Sequence, residues 1–187
     1  MAQGRPYHHG NLRAALLDAA TEEIDAVGPA AMSLRRVATR AGVTHPAVAH
    51  HFGDKTGLLT ALASRGHEHL NAALRAAGGL LQMGVAYVRF AAEHRAEFEV
   101  MFRPELLHGD DPDLVAARAA GRTLLRGGAS EVTGAAATSE ATQEVALAAW
   151  SMVHGFASLW LAGDLPGEDV EDAVRLFRRS ARRAFSP

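Results

Sequence analysis

The chain has no cysteine among its 187 residues. That excludes disulfides, thiolate nucleophiles and cysteine-based zinc sites, and it suits a reducing, cytoplasmic setting. No stretch approaches the roughly 18 uncharged apolar residues a membrane span needs, and the N-terminus carries no apolar leader, so no membrane association is expected. Period-two alternation of the kind a half-buried strand requires is missing, as are repeats at solenoid periods. Also absent are a Gly-x-Ser-x-Gly elbow, a glycine-rich phosphate loop and a His-Glu-x-x-His pair, so no residue is assigned a catalytic role and no cofactor is expected. Charge of one sign is lacking too: the formal net charge is −2, whereas a nucleic-acid binder usually shows a basic excess. Up to residue 56 the balance differs, with Arg5, Arg13, Arg35, Arg36, Arg40 and Lys55 against Asp18, Glu22, Glu23, Asp25 and Asp54. Five histidines, His8, His9, His45, His50 and His51, would gain protons beside phosphate.

What is present is helical punctuation. In SLRRVATRAGVTHPAVAHHFGDKTGL, residues 33–58, Leu34, Val37, Ala38 and Ala41 recur at helical spacing before Gly42 stops the run. Val43, Ala47 and Val48 begin another after a break too short for strand pairing. This is a helix-turn-helix pattern. Ser33 and Thr44 stand where hydroxyls cap the two helices, and Pro46 suits a first turn that needs no amide from it. The second helix turns a small-sided face, His45, Pro46, Ala49 and His50, away from its apolar side. Asp54 is placed to cap a long third helix that opens with Lys55, the only lysine; a cation beside open helix-terminal amides suits a phosphate.

The remaining chain reads as helices. Leu12, Leu16, Ile24 and Val27 share a face closed by Gly28-Pro29. From Asp54 a helix runs through Leu58, Leu62, Gly66, Leu70 and Leu74 to Gly78-Gly79, and stripes follow at Leu81, Val85, Val88 and at Leu114, Ala117, Gly121, Leu124. Asp110, Asp111 and Asp113 lack calcium-loop spacing and suit a cap and turn. RGGASEVTGAAATSEA, residues 126–141, is expected to be a mobile loop. The most apolar stretch places Val145, Met152, Val153, Phe156 and Trp160 on one face, and Val170, Val174 and Phe177 form the face of the last helix, whose arginine-rich end is a solvated face or a nucleic-acid patch. His67, Glu68 and His69 do not converge on one helix side, so no metal site is expected.

AGVTHPAVAHHFGDKTGLL resembles the recognition helix and following linker of the TetR family of bacterial regulators. YHHGNLRAALLDAA resembles that family's first helix, and AAWSMVHGFASLW resembles the core of its Trp-His-Gly type of C-terminal domain. The resemblance implies an all-α fold: an N-terminal three-helix helix-turn-helix DNA-binding domain, residues 1–56, joined by a long helix at about 54–78 to a ligand-binding and dimerisation domain, residues 57–187. It further implies a homodimeric repressor on palindromic double-stranded operator DNA, released by a small hydrophobic or aromatic effector. By the family's pattern Thr44, Lys55, His51 and Arg35 contact the DNA backbone while His45, Pro46 and His50 face base edges. Ala49 departs from the family, which usually carries tyrosine there. The effector pocket is expected at Val85, Phe98, Met101, Phe102, Leu124, Trp150 and His154, with His154 either its polar handle or a hydrogen-bonded core histidine. The dimer interface is expected at Val145, Met152, Val153, Phe156, Trp160, Val170, Val174 and Phe177, some of which also serve the protomer's own core. The alternative function is a helical protein-binding or architectural module without sequence-specific DNA binding.

Overall fold

The computed structural model describes residues 12–185, and within them every regular element is helical. The N-terminal arm, with Arg5 and the His8-His9 pair, lies outside the described residues. Among the described residues no helix is long and apolar enough to cross a membrane.

Helix α1 (Leu12–Ala31) breaks at Gly28, whose φ of 78° favours glycine, and Pro29 restarts a short turn. Helices α2 (Leu34–Arg40) and α3 (His45–Phe52) follow across a turn at Gly42, φ 68°. Leu16, Ala20 and Ile24 of α1 meet Val37 of α2 and Val48 of α3, all at most 2% exposed. The expected hydroxyl caps do not form: Ser33 and Thr44 take extended N-cap backbones without a side-chain bond. The Ser33 carbonyl accepts from the Val37 amide, the first bond of α2, and the Thr44 side chain stays exposed. Asp54 does cap α4 (Lys55–Ala76), accepting from the Gly57 amide at 2.8 Å.

Helix α4 is 22 residues long, about 33 Å at 1.5 Å per residue. Leu58, Leu59 and Leu62 near its start are fully buried in the hydrophobic core that Val48 shares, and Leu70 is buried further along. It stops at Ala76, short of the glycine pair, because Gly79 serves as the positive-φ N-cap of α5 (Leu80–Glu93). After α5 come α6 (Arg95–Met101), a 3-10 turn (Pro104–Leu106), α7 (Pro112–Thr133), α8 (Glu140–Leu161) and α9 (Val170–Phe185). Asp111 accepts from the Leu114 amide, so it belongs to a helix cap as its spacing suggested.

Two expectations are corrected. The segment taken for a mobile loop is mostly helix, since α7 continues to Thr133. Its small residues are there for close packing: a Cβ at Gly128 would stand 2.7 Å from the Met83 sulfur, and Ala129 is wholly buried. The dimer assignment fails for Val153, Val174 and Phe177, which are at most 6% exposed inside the protomer. Helix α9 turns its apolar face onto α5, where the Phe177 ring fills the space left by Gly84. Val145, Met152, Phe156, Trp160 and Val170 are half-buried, and the large apolar side chains left open on α8 are Leu147, Trp150 and Leu159, 61%, 44% and 48% exposed.

The contact between α4 and α6 depends on Gly66. A Cβ there would meet the Met101 sulfur at 2.6 Å and the Glu97 Cβ at 3.0 Å. Gly66→Val is therefore expected to destabilise the protein by about 1–3 kcal/mol, the usual cost of overpacking. Urea unfolding measures this, and a variant as stable as the parent would show that α6 is free to retreat.

Candidate recognition helix and ligand cavity

Helix α3 presents the face expected of it. His45, Pro46, His50 and His51 are exposed, Ala49 is half-buried, and Val48 on the opposite side anchors the helix in the core. Of the three arginines on α2, two are engaged. Arg36 and Arg40 donate to the buried Glu23 carboxylate at 3.2 and 2.9 Å, holding α2 to α1. The hydrogen bond from Arg40, opposed by burial and aided by Arg36, keeps that carboxyl below the usual carboxylate range. Arg35 is exposed and makes no ion pair among the described residues. Lys55 is less free than its sequence position suggested, because its Nζ donates to the Ala30 carbonyl at 2.7 Å.

A cavity of about 1180 Å³ lies between α4, α5, α7 and α8, with Phe177 and Ala181 of α9 completing its wall. This exceeds the ~300–1,000 Å³ typical of small-molecule sites. Met101, Phe102 and Trp150 line it as expected. Val85, Phe98, Leu124 and His154 do not. Val85 and Phe98 are buried in the core, and on α7 it is Gly121 and Leu125 that face the space. His154 is half-buried and hydrogen-bonded: its Nδ1 and the Tyr87 hydroxyl are 2.8 Å apart, and its ring lies 4.4 Å from that of Phe102. Sequence reasoning missed His67 and Asn71 of α4 and Arg118 and Arg122 of α7, all of which line the cavity. The signal was available, since each pair is spaced i,i+4 on one helix face. The expected wall with little charge is corrected accordingly: Arg118, Arg122, Arg126, Arg182, Glu140 and Glu144 all border an otherwise apolar space.

Between head and cavity sits Arg65. Its guanidinium donates to Asp18 at 2.6 Å and to Thr21 at 2.8 Å on α1, and to the buried Glu97 of α6 at 2.8 Å. The other Glu97 oxygen faces the Nδ1 atoms of His69 and His94 at 3.0 and 3.8 Å. His69 thus joins His94 and not His67. The three donor atoms lie within 4.8 Å of one another, but Arg65 already neutralises the carboxylate, which opposes a second cation there.

Comparison with known proteins agrees with this architecture. Residues 16–62 match the family described as bacterial regulatory proteins, tetR family, and residues 80–184, more than half the chain, match the tetracyclin repressor-like C-terminal domain. The chain belongs to the TetR family. A solved structure from Rhodococcus sp. RHA1, described as a protein of unknown function, is 32% identical, covers 98% of this chain and 100% of its own, and superposes with a TM-score of 0.74. The TetR-family transcriptional regulator PfmR from Thermus thermophilus shares the fold at 22% identity, over 92% of this chain and 99% of its own, with a TM-score of 0.65. The HTH-type transcriptional regulator BetI of Paraburkholderia phytofirmans is 49% identical over 49 residues, 26% of this chain. That match spans only 25% of the curated relative.

Within this TetR-family chain, burial gives the cavity a pH signature. Burial first, then the charges of Arg118 and Arg122, push His67 down to about 4. An unfolded histidine titrates near ~6.5, so between these values the unfolded chain binds a proton that the folded chain refuses. Stability is thus complete above about pH 6.5 and falls as the pH drops towards 4. His154, lowered by burial, adds in the same direction. Melting temperatures across this window should fall less steeply for His67→Leu than for the parent; equal slopes would show that His67 titrates normally.

Proposed function

We propose that this DNA-binding regulator acts as a homodimeric repressor in the cytoplasm, released from a palindromic operator when a small molecule fills the cavity. One observation carries the reading: α4 is a single unbroken helix that begins two residues after α3 and ends in the cavity wall with His67, Leu70, Asn71 and Leu74. A ligand wedged between α4 and α7 has leverage on the head, and Arg65 gives it a second path through α1. A coupling of ~1–3 kcal/mol changes operator affinity about 5- to 150-fold, enough to release a repressor.

The domain division follows function, with residues 1–56 reading DNA and residues 57–187 sensing ligand and pairing. In the complex His45, Pro46 and His50 meet base edges, and Thr44, His51 and Arg35 meet the backbone. Lys55 exchanges the Ala30 carbonyl for a phosphate. Ala49, small where the family usually has tyrosine, leaves that contact to its histidine neighbours. Pairing is assigned to the outer face of α8, where Leu147 and Leu159 stand out among Ser151, Gly155 and Ser158. Small residues let two such helices approach closely, and a two-fold pair sets half-sites about one DNA turn, ~34 Å, apart.

Lys55→Ala should weaken operator and random DNA alike and reduce the salt slope of binding by about 1, while His45→Ala should relax preference at one or two base pairs. Fluorescence anisotropy against both DNAs at several salt concentrations reads this. A parent protein that binds every sequence equally would instead mark a module without sequence-specific recognition. Leu159→Glu is expected to shift the molar mass in solution from dimer to monomer and weaken operator binding at least tenfold; a variant still dimeric by light scattering would place the interface elsewhere.

A further inference from the structure

The cavity is not uniformly oily. Along its α4 side, His67 and Asn71 are 8% and 2% exposed, yet His67 Nε2 and Asn71 Oδ1 have no hydrogen-bond partner. An unmet polar atom in a buried wall is costly, so a wall that keeps the His67 nitrogen and the Asn71 oxygen open is suited to a polar occupant rather than a purely apolar one. Asn71 is held in place by its own amide, which donates to the Ala117 carbonyl at 2.8 Å. Opposite its oxygen stands Gly121, where a Cβ would come within 2.8 Å and close the approach.

Arg118 and Arg122 border the same end, on α7. Neither has a carboxylate within ion-pair distance among the described residues, although Arg118 donates weakly to the Met101 carbonyl at 3.4 Å. Both bear on His67 electrostatically, so the three groups converge. The cavity's two glutamates sit elsewhere. Glu140 and Glu144 lie in the first turns of α8, just after the short loop that follows the end of α7 at Thr133. Arg122 is eleven residues back from that end, about 16 Å along the helix. Apart from Arg126, Gln143 and Arg182, the remaining lining, including Leu80, Leu81, Met83, Tyr87, Met152 and Val153 with the aromatic rings of Phe102 and Trp150, is apolar or aromatic.

We infer that the cavity takes an amphipathic organic acid, whose carboxylate is held by Arg118 and Arg122 beside His67 and Asn71 and whose apolar body extends between α5 and α8. A guanidinium pair matches a carboxylate in shape and charge. The anion also reverses the repulsion that the arginines exert on His67, allowing its ring to donate to the ligand. A purely hydrophobic ligand would leave the His67 ring nitrogen and two cations unmet. This inference rests on reading the cavity as the effector site.

The test is isothermal titration of the full-length protein with straight-chain carboxylates of eight to sixteen carbons and with the alcohol and primary amide of each. The acid is expected to bind at least about tenfold tighter than either counterpart at one chain length, charge-assisted hydrogen bonds being roughly twice as strong as neutral ones. In the Arg118→Gln/Arg122→Gln double variant the acid-to-alcohol ratio is expected to fall towards one. An alcohol or amide that binds as tightly as its acid overturns the inference, as does a double variant that keeps the parent ratio, or a protein that binds no member of the panel. Operator release, measured with the same compounds, separates the two readings. Neutral compounds that bind and release DNA leave the effector site standing and remove the acid. An acid that binds by way of the arginines without altering DNA affinity supports the inference and removes the regulatory role.

Discussion

A buried carboxylate holds the two halves of this protein together. Glu97 is 2% exposed, and an ionised carboxylate taken from water costs several kcal/mol unless cations and donors replace the solvent. Arg65 meets that requirement from α4 and at the same time reaches Asp18 and Thr21 on α1. Three helices are therefore fixed by one guanidinium, whose planar array of donors serves several acceptors at once. The adjoining Gly66 allows α6 to come close enough for the bond to form. Because α6 also supplies Met101 to the cavity wall, a change in the cavity and a change in the head share one rigid connection.

The same device recurs inside the head and explains the unpromising net charge. Glu23 is buried and binds both Arg36 and Arg40. These two cations are structural, and the acid that cancels them in a charge count is inside the fold. The outward face of the recognition helix has little formal charge. In the proposed complex it relies on the ring nitrogens of His45, His50 and His51 and on Lys55 and Arg35 near its ends. Recognition by such a face depends more on shape and on base-edge hydrogen bonds than on bulk attraction to phosphate.

The cavity divides along the helices that form it. From α5 and α8 come leucine, methionine, valine and aromatic side chains, α4 and α7 contribute His67, Asn71, Arg118 and Arg122, and Arg126, Arg182, Glu140, Gln143 and Glu144 border the space as well. In the proposed complex the carboxylate end of the ligand is the one held beside Arg118, Arg122 and His67. Orientation matters for coupling. The end of the ligand that is held most specifically is the end against α4, and α4 leads to the DNA.

The helix-turn-helix, the exposed face of α3, the Asp54 cap and the all-helical plan were legible in the sequence alone. Each depends on residues within a few positions of one another: turn glycines, an apolar spacing of three and four, a carboxylate ahead of a first turn. The Ser33 and Thr44 caps were misread even at this range, because first-turn amides near the surface can be met by solvent instead of a hydroxyl. Beyond local range, the fold made the decisions. Gly128 looked like part of a loop until α5 was seen packed against it, and Phe177 looked like an interface until Gly84 received it. His154, singled out for chemistry, found Tyr87 sixty-seven residues away. His67, read only as no metal ligand, and Asn71, not singled out at all, each keep an unpartnered buried atom once α7 is in place. A side chain's neighbours along the chain determine which helix it joins, but its partners across the core determine whether its polar atoms are satisfied, and that is set only when the helices pack.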